Sequence, residues 1–78
     1  MEYVIVDELH SQLMRKFPDA DIVIEDTAGD GNHYYLMITS TLFTGISLLE
    51  QHKMVYEALG SEIMNRVHAL KIKTFSKL

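Results

Sequence analysis

Cysteine is absent from this 78-residue chain, and proline occurs once. Without cysteine there is neither a disulfide nor a thiolate, which fits a reducing compartment. A metal site would have to use histidine and carboxylate, or take its sulfur from a partner. The single proline argues against a disordered tail. Nowhere do about 18 apolar residues run together, and the N-terminus carries neither a basic stretch leading into an apolar run nor an Arg-rich amphipathic presequence. A soluble, cytoplasmic protein with no membrane partner is therefore expected. Catalytic signatures are also missing: there is no Gly-x-Ser-x-Gly, no His-Glu-x-x-His and no cysteine nucleophile. Gly29-Asp30-Gly31 lacks the Lys-Ser/Thr of a phosphate loop and the strand-to-helix context of a dinucleotide fingerprint. The expectation is a protein that is not an enzyme. No repeat, linker or low-complexity segment interrupts the chain.

The length suits one domain, residues 1–78, and one thin core, since a chain of this size buries only about 60% of its unfolded surface. Hydrophobic residues make up 47% and charged residues 23%, as in an ordinary globular protein. The net charge of −4 is unevenly spread. Residues 1–32 hold Glu2, Asp7, Glu8, Asp19, Asp21, Glu25, Asp26 and Asp30 against Arg15 and Lys16, whereas residues 63–78 hold Arg66, Lys71, Lys73 and Lys77 with no acid. That basic end is a faint footprint for phosphate binding, which depends on clustered Lys and Arg. A solvated strand face is the simpler account of it.

Along the chain, Val6, Leu9, Leu13 and Phe17 recur at helical spacing with Ile5 and Met14 beside them, and Pro18 stops the helix. His10 lies off that stripe and reads as an exposed, inert histidine. Asp21–Asp26 and His33–Ser40 are β-branched or aromatic and read as strands. Thr27-Ala28-Gly29-Asp30-Gly31-Asn32 between them carries turn signals, which predicts an antiparallel hairpin with a loop longer than two residues. After the break at Thr44-Gly45, Ser47 and Glu50 form a capping box. The stripe that follows, Leu48, Leu49, His52, Val55, Tyr56, Leu59 and Ile63, predicts a second helix that Gly60 ends or loosens. Val67–Phe75 alternates as a strand with His68, Leu70, Ile72 and Thr74 on one face and Lys71 and Lys73 on the other.

Three histidines remain as candidates for chemistry. His52, in the middle of the second stripe, reads as a core residue hydrogen-bonded to a carbonyl or hydroxyl. His33 follows the turn at a strand edge, as an ordinary loop histidine or a reachable ligand. His68 opens the last strand on its more buried side, as a structural residue or a ligand.

Phe43-x-Gly45, then His52 with Val55-Tyr56 and Leu59, then Val67-His68-Ala69-Leu70-x-Ile72 resemble the BolA-like family at its most distinctive segment. Asp30-Gly31-Asn32-His33 is similar to that family's Asp-Gly-Ser-His loop, and the likeness spans nearly the whole chain. It implies an α+β fold like the class II KH domain: helix-strand-strand-helix-strand, with a three-stranded sheet covered by helices on one face. Phe43, Gly45, His52 and Tyr56 then become structural positions.

The resemblance further implies a role with a monothiol glutaredoxin in assembling, trafficking or sensing through a [2Fe-2S] cluster. In that reading His68 is the cluster ligand and His33 the variable second ligand. A pair of histidines on one iron is the Rieske arrangement, and the other iron would be held by thiolates of the glutaredoxin and its glutathione. A weak homodimer is a further association left open.

Three departures stand out. Gln51 occupies the place where the family often has a basic residue, with Lys53 after it. The sequence stops at Thr74-Phe75-Ser76-Lys77-Leu78 where family members commonly continue into a C-terminal helix, so that third helix should be short or absent. There is also no Gly-x-x-Gly, hence no support for RNA binding of the KH kind. The alternative function is a DNA-binding transcriptional regulator of the BolA type, with Lys53, Arg66, Lys71 and Lys73 as phosphate contacts. A third reading is an adaptor that docks a partner without metal.

Overall fold

The computed structural model describes residues 2–27, 29, 33–67 and 69–77. Helix α1 (Glu2–Lys16) leads into strands β1 (Asp21–Asp26) and β2 (His33–Ser40), a 3-10 turn (Thr41–Phe43), helices α2 (Leu48–Leu59) and α3 (Ser61–Arg66), and strand β3 (Ala69–Ser76). In space the strands lie in the order β1-β2-β3. The pair β1–β2 is antiparallel, as a hairpin requires, and β2–β3 is parallel, as a helical crossover requires.

Alternation along β2 separates the two faces of the sheet. Tyr34, Leu36, Ile38 and Ser40 are buried, while Tyr35, Met37 and Thr39 are only half-buried. The buried set meets Leu9, Leu13 and Phe17 of α1 with its following turn, Phe43 of the 3-10 turn, Val55 and Leu59 of α2, Ile63 of α3, and Val67 and Ile72. Phe17 and Phe43 contact at a ring-centroid distance of 5.1 Å and a tilt of 48°, an arrangement aromatic rings favour. The helices thus cover one face of the sheet and leave the other open.

Helix α1 follows its stripe, although the side chain of Ile5 lies outside the described residues. Pro18 sits one residue beyond Phe17, whose N–H still reaches the Leu13 carbonyl. Ser47 caps α2 by accepting from the Glu50 N–H. At the far end Gly60, at φ 85°, turns the chain out of α2.

Gly60 ends α2, one of the two outcomes expected of it, and the first correction to the sequence reading is that Ile63 belongs to a separate six-residue helix. The second concerns the apolar stripe itself. Val55 and Leu59 are buried, but Leu48, Leu49 and Tyr56 are 62%, 66% and 41% exposed. A stripe that broad exceeds what three strands can cover, and the first turn of α2 borders an open depression beside β3 instead of core. The last strand begins at Ala69, after α3 and Val67, and no helix follows it among the described residues.

Candidate functional site

The N-terminal ends of β2 and β3 meet at His33. Thr27 closes the hairpin there, since its N–H donates to the His33 carbonyl at 2.8 Å and its hydroxyl donates to the same oxygen at 3.1 Å. Gly29, at φ 70°, donates its N–H to the Asp26 carboxylate and starts the turn. The residues Asp30, Gly31 and Asn32 lie outside the described residues. In the parallel register His33 stands opposite Ala69, Tyr35 opposite Lys71, and Met37 opposite Lys73. His33, Thr27, Tyr35, Ala69, Lys71 and Lys73 line an open depression of about 500 Å³.

His68 lies outside the described residues. In sequence it directly precedes Ala69, the residue opposite His33. The segment that leads to it is tied to α1. Arg66, at the end of α3, donates to the Glu8 carboxylate of α1, and Glu62 approaches the same guanidinium at 3.7 Å. The hydrogen bond from Arg66 lowers the Glu8 pKa below the usual carboxylate range despite some desolvation, and the bond to Glu8 raises that of Arg66.

These contacts divide the four cations proposed for DNA. Arg66 is engaged by two carboxylates. Lys53 sits on the helical layer within 3.6 Å of Glu50. Only Lys71 and Lys73 share a surface, on the open face of β3. The structure therefore brings His33, Lys71 and Lys73 together and leaves Lys53 and Arg66 elsewhere.

His52 also departs from expectation. It is half-buried beside Leu48, Ile72 and Phe75, and its Nε2 is enclosed without a hydrogen-bond partner among the described residues. The residue before it does the bonding. The Gln51 side-chain amide donates to the carbonyls of Ile46 at 2.7 Å and Phe43 at 3.4 Å, and its carbonyl accepts from the Thr74 hydroxyl. Gln51 thereby ties the loop around Gly45, itself at φ 77°, to β3. The sequence reading registered Gln51 only as a departure from a pattern. Thr74 is 23 positions away, and no local signal announces that pairing.

Asp19 was missed for the same reason. Its carboxylate accepts from the Ser40 hydroxyl and from both the N–H and the hydroxyl of Thr41, each at 2.8 Å. Those bonds, the Thr41 N–H foremost, hold its pKa down to about 2. Lys77 donates to the Asp19 carbonyl at 2.7 Å and lies 3.5 Å from the Asp21 carboxylate, which fastens the end of β3 to the same corner. The only sequence hint was the turn chemistry of Pro18-Asp19.

With this arrangement in view, the family model described as BolA-like protein matches residues 4–77. The chain belongs to the BolA-like family. An uncharacterized protein of Rickettsia prowazekii, RP812, is 45% identical over 73 residues, covering 94% of this chain and 95% of that protein. The DNA-binding transcriptional regulator BolA of Escherichia coli is 37% identical over 49 residues, which is 63% of this chain and 47% of that protein. Among solved structures, the BolA domain of SufE1 from Arabidopsis thaliana superposes with a TM-score of 0.75 at 26% identity, covering 87% of this chain and 86% of that one. BolA-like proteins are regulatory or scaffolding proteins rather than catalysts, so this chain is not read as an enzyme.

A [2Fe-2S] cluster needs four ligands. The chain has no cysteine, and among the described residues no three His, Cys, Asp or Glu side chains gather into a metal-holding group. Imidazole and carboxylate are the donors this chain could offer such a cluster.

Proposed function

We propose that this protein is a non-enzymatic partner of a monothiol glutaredoxin and handles a [2Fe-2S] cluster as cargo, with His68 and His33 as its ligands. The family association with iron–sulfur cluster biogenesis, including a BolA domain within a SufE-type protein, supports the cluster role. One observation supports the choice of ligands: the parallel register sets His33 opposite Ala69, next in sequence to His68, beside an open depression. Imidazole must be neutral to bind iron, so assembly would weaken as histidine protonates. The glutaredoxin and its glutathione would supply the thiolates that this chain lacks.

The test is anaerobic cluster reconstitution with a monothiol glutaredoxin and glutathione, read by visible circular dichroism and EPR. The expected result is a heterodimer spectrum distinct from that of the glutaredoxin alone, lost in His68→Ala and altered in His33→Ala. An unchanged glutaredoxin spectrum with the wild-type protein would remove the reading.

Exposed Lys71 and Lys73, which share one face, favour a second reading as a DNA-binding regulator, and the E. coli relative bears that name. Duplex DNA titration at low salt tests it, since electrostatic affinity is greatest there. The acids Asp21 and Glu25 on the same sheet weigh against it.

A further inference from the structure

The open face of the sheet carries a charge pattern that its register makes explicit. Cross-strand partners share a face, so three rows run across it: Glu25, Tyr35 and Lys71; Val23, Met37 and Lys73; Asp21, Thr39 and Phe75. The column on β1 is acidic, the column on β3 is basic, and the β2 column between them is uncharged. Val23 and Phe75 are 46% and 47% exposed, so apolar surface is left open alongside the charges. Glu25 and Lys71 stand two strand spacings apart, roughly 9.5 Å between their backbones. Neither they nor Lys73 has an ion-pair partner among the described residues.

We infer that this face docks a second copy of the chain, with a two-fold axis parallel to the strands. Rotation about that axis exchanges left and right, so the acidic β1 column of each copy meets the basic β3 column of the other. The rows stay aligned: Glu25 faces Lys71 of the second copy, Lys71 faces its Glu25, and the Tyr35 and Met37 side chains of the two copies meet at the centre. A two-fold axis across the strands would set β1 on β1, acid against acid, and the charge pattern excludes it. Aligned sheets that pack about 10 Å apart at about 30° are a common arrangement. The face is small. Three strands of six to eight residues present a few hundred Å² per copy, below the roughly 800 Å² per partner of a standard stable interface, so the dimer is weak and concentration-dependent. This inference rests on the register and does not depend on the cluster reading.

Sedimentation equilibrium at low ionic strength, from the low micromolar to the near-millimolar range, tests it. The wild-type protein should pass from monomer to dimer. Glu25→Lys should weaken the dimer roughly tenfold, because two symmetric attractive pairs become repulsive. The sign is informative, since this change reduces a net charge of −4, and general electrostatics would strengthen association. Lys71→Glu should weaken it as well. Glu25→Lys combined with Lys71→Glu should restore it, and a one-to-one mixture of the two single variants should form a heterodimer, which shows that both are folded. Glu57→Lys on α2, off this face, should not weaken it. A wild-type chain that stays monomeric throughout, single variants that associate as well as wild type, or a mixture that fails to pair would each overturn the inference.

Discussion

At its C-terminal end β2 finishes on Ser40, which is fully buried, donates to Asp19 and accepts from the Leu42 N–H. At its N-terminal end, in the same eight-residue strand, it starts on His33, half-exposed beside an open depression. The first end joins the turn after α1 to β2 and the 3-10 turn through the Asp19 carboxylate, and Lys77, just past β3, bonds the Asp19 carbonyl. The second gathers a turn, two strand starts and two lysines around accessible surface. The buried Ser40 hydroxyl and the half-buried carboxylate it bonds hold the fold at one end, and space at the other end leaves room for a ligand or partner. The comparison predicts that damage at the Ser40 end is read in stability, and damage at the His33 end in binding.

The harshest break is Phe43→Ala. This ring is fully buried under the Ser40 end against Phe17, and its removal should cost about 3–5 kcal/mol in urea unfolding, enough to unfold much of so small a domain. Next comes Ser40→Ala, which strands the Leu42 N–H and removes one bond to Asp19. It should cost about 1–2 kcal/mol in the same assay.

Acid should weaken the same end. The folded-state pKa of Asp19, about 2, lies below its ordinary 3.8, so its contribution is fully present above the unfolded value and is lost as pH falls through the folded one. Urea midpoints measured from about pH 5 down to about pH 2 should fall less steeply in Asp19→Asn than in wild type. Equal slopes would show that Asp19 does not hold this corner.

The smallest stability change is expected at the other end. His33→Ala should shift stability by no more than about 0.5 kcal/mol while altering the spectrum of the reconstituted cluster. A large loss of stability with an unchanged spectrum would reverse the comparison. His10→Ala, on an exposed turn of α1, should leave both readouts unchanged.

Much of the architecture is legible in the sequence. The α1 stripe, the bounds of both hairpin strands, the Ser47 cap and the alternation of Leu70, Ile72 and Thr74 against Lys71 and Lys73 all follow from local periodicity and cap chemistry. The family could be read from Phe43-x-Gly45 and Val67-His68-Ala69-Leu70. Less legible was the fate of the second helix. Gly60 marked where it could end, but its periodicity could not show that Ile63 would belong to a separate helix, nor that Leu48, Leu49 and Tyr56 would overrun the sheet.

By itself the sequence determined what lies within a few residues of its cause: where elements start and stop, which face of each is apolar, and that a chain without cysteine needs sulfur from elsewhere to hold a cluster. The tertiary structure alone decided the pairings across the fold. Asp19 with Ser40 and Thr41, Gln51 with Thr74, Glu8 with Arg66, and His33 opposite Ala69 join positions 21 to 58 residues apart. Periodicity describes one element at a time, whereas such contacts exist only once several elements have packed on a common core.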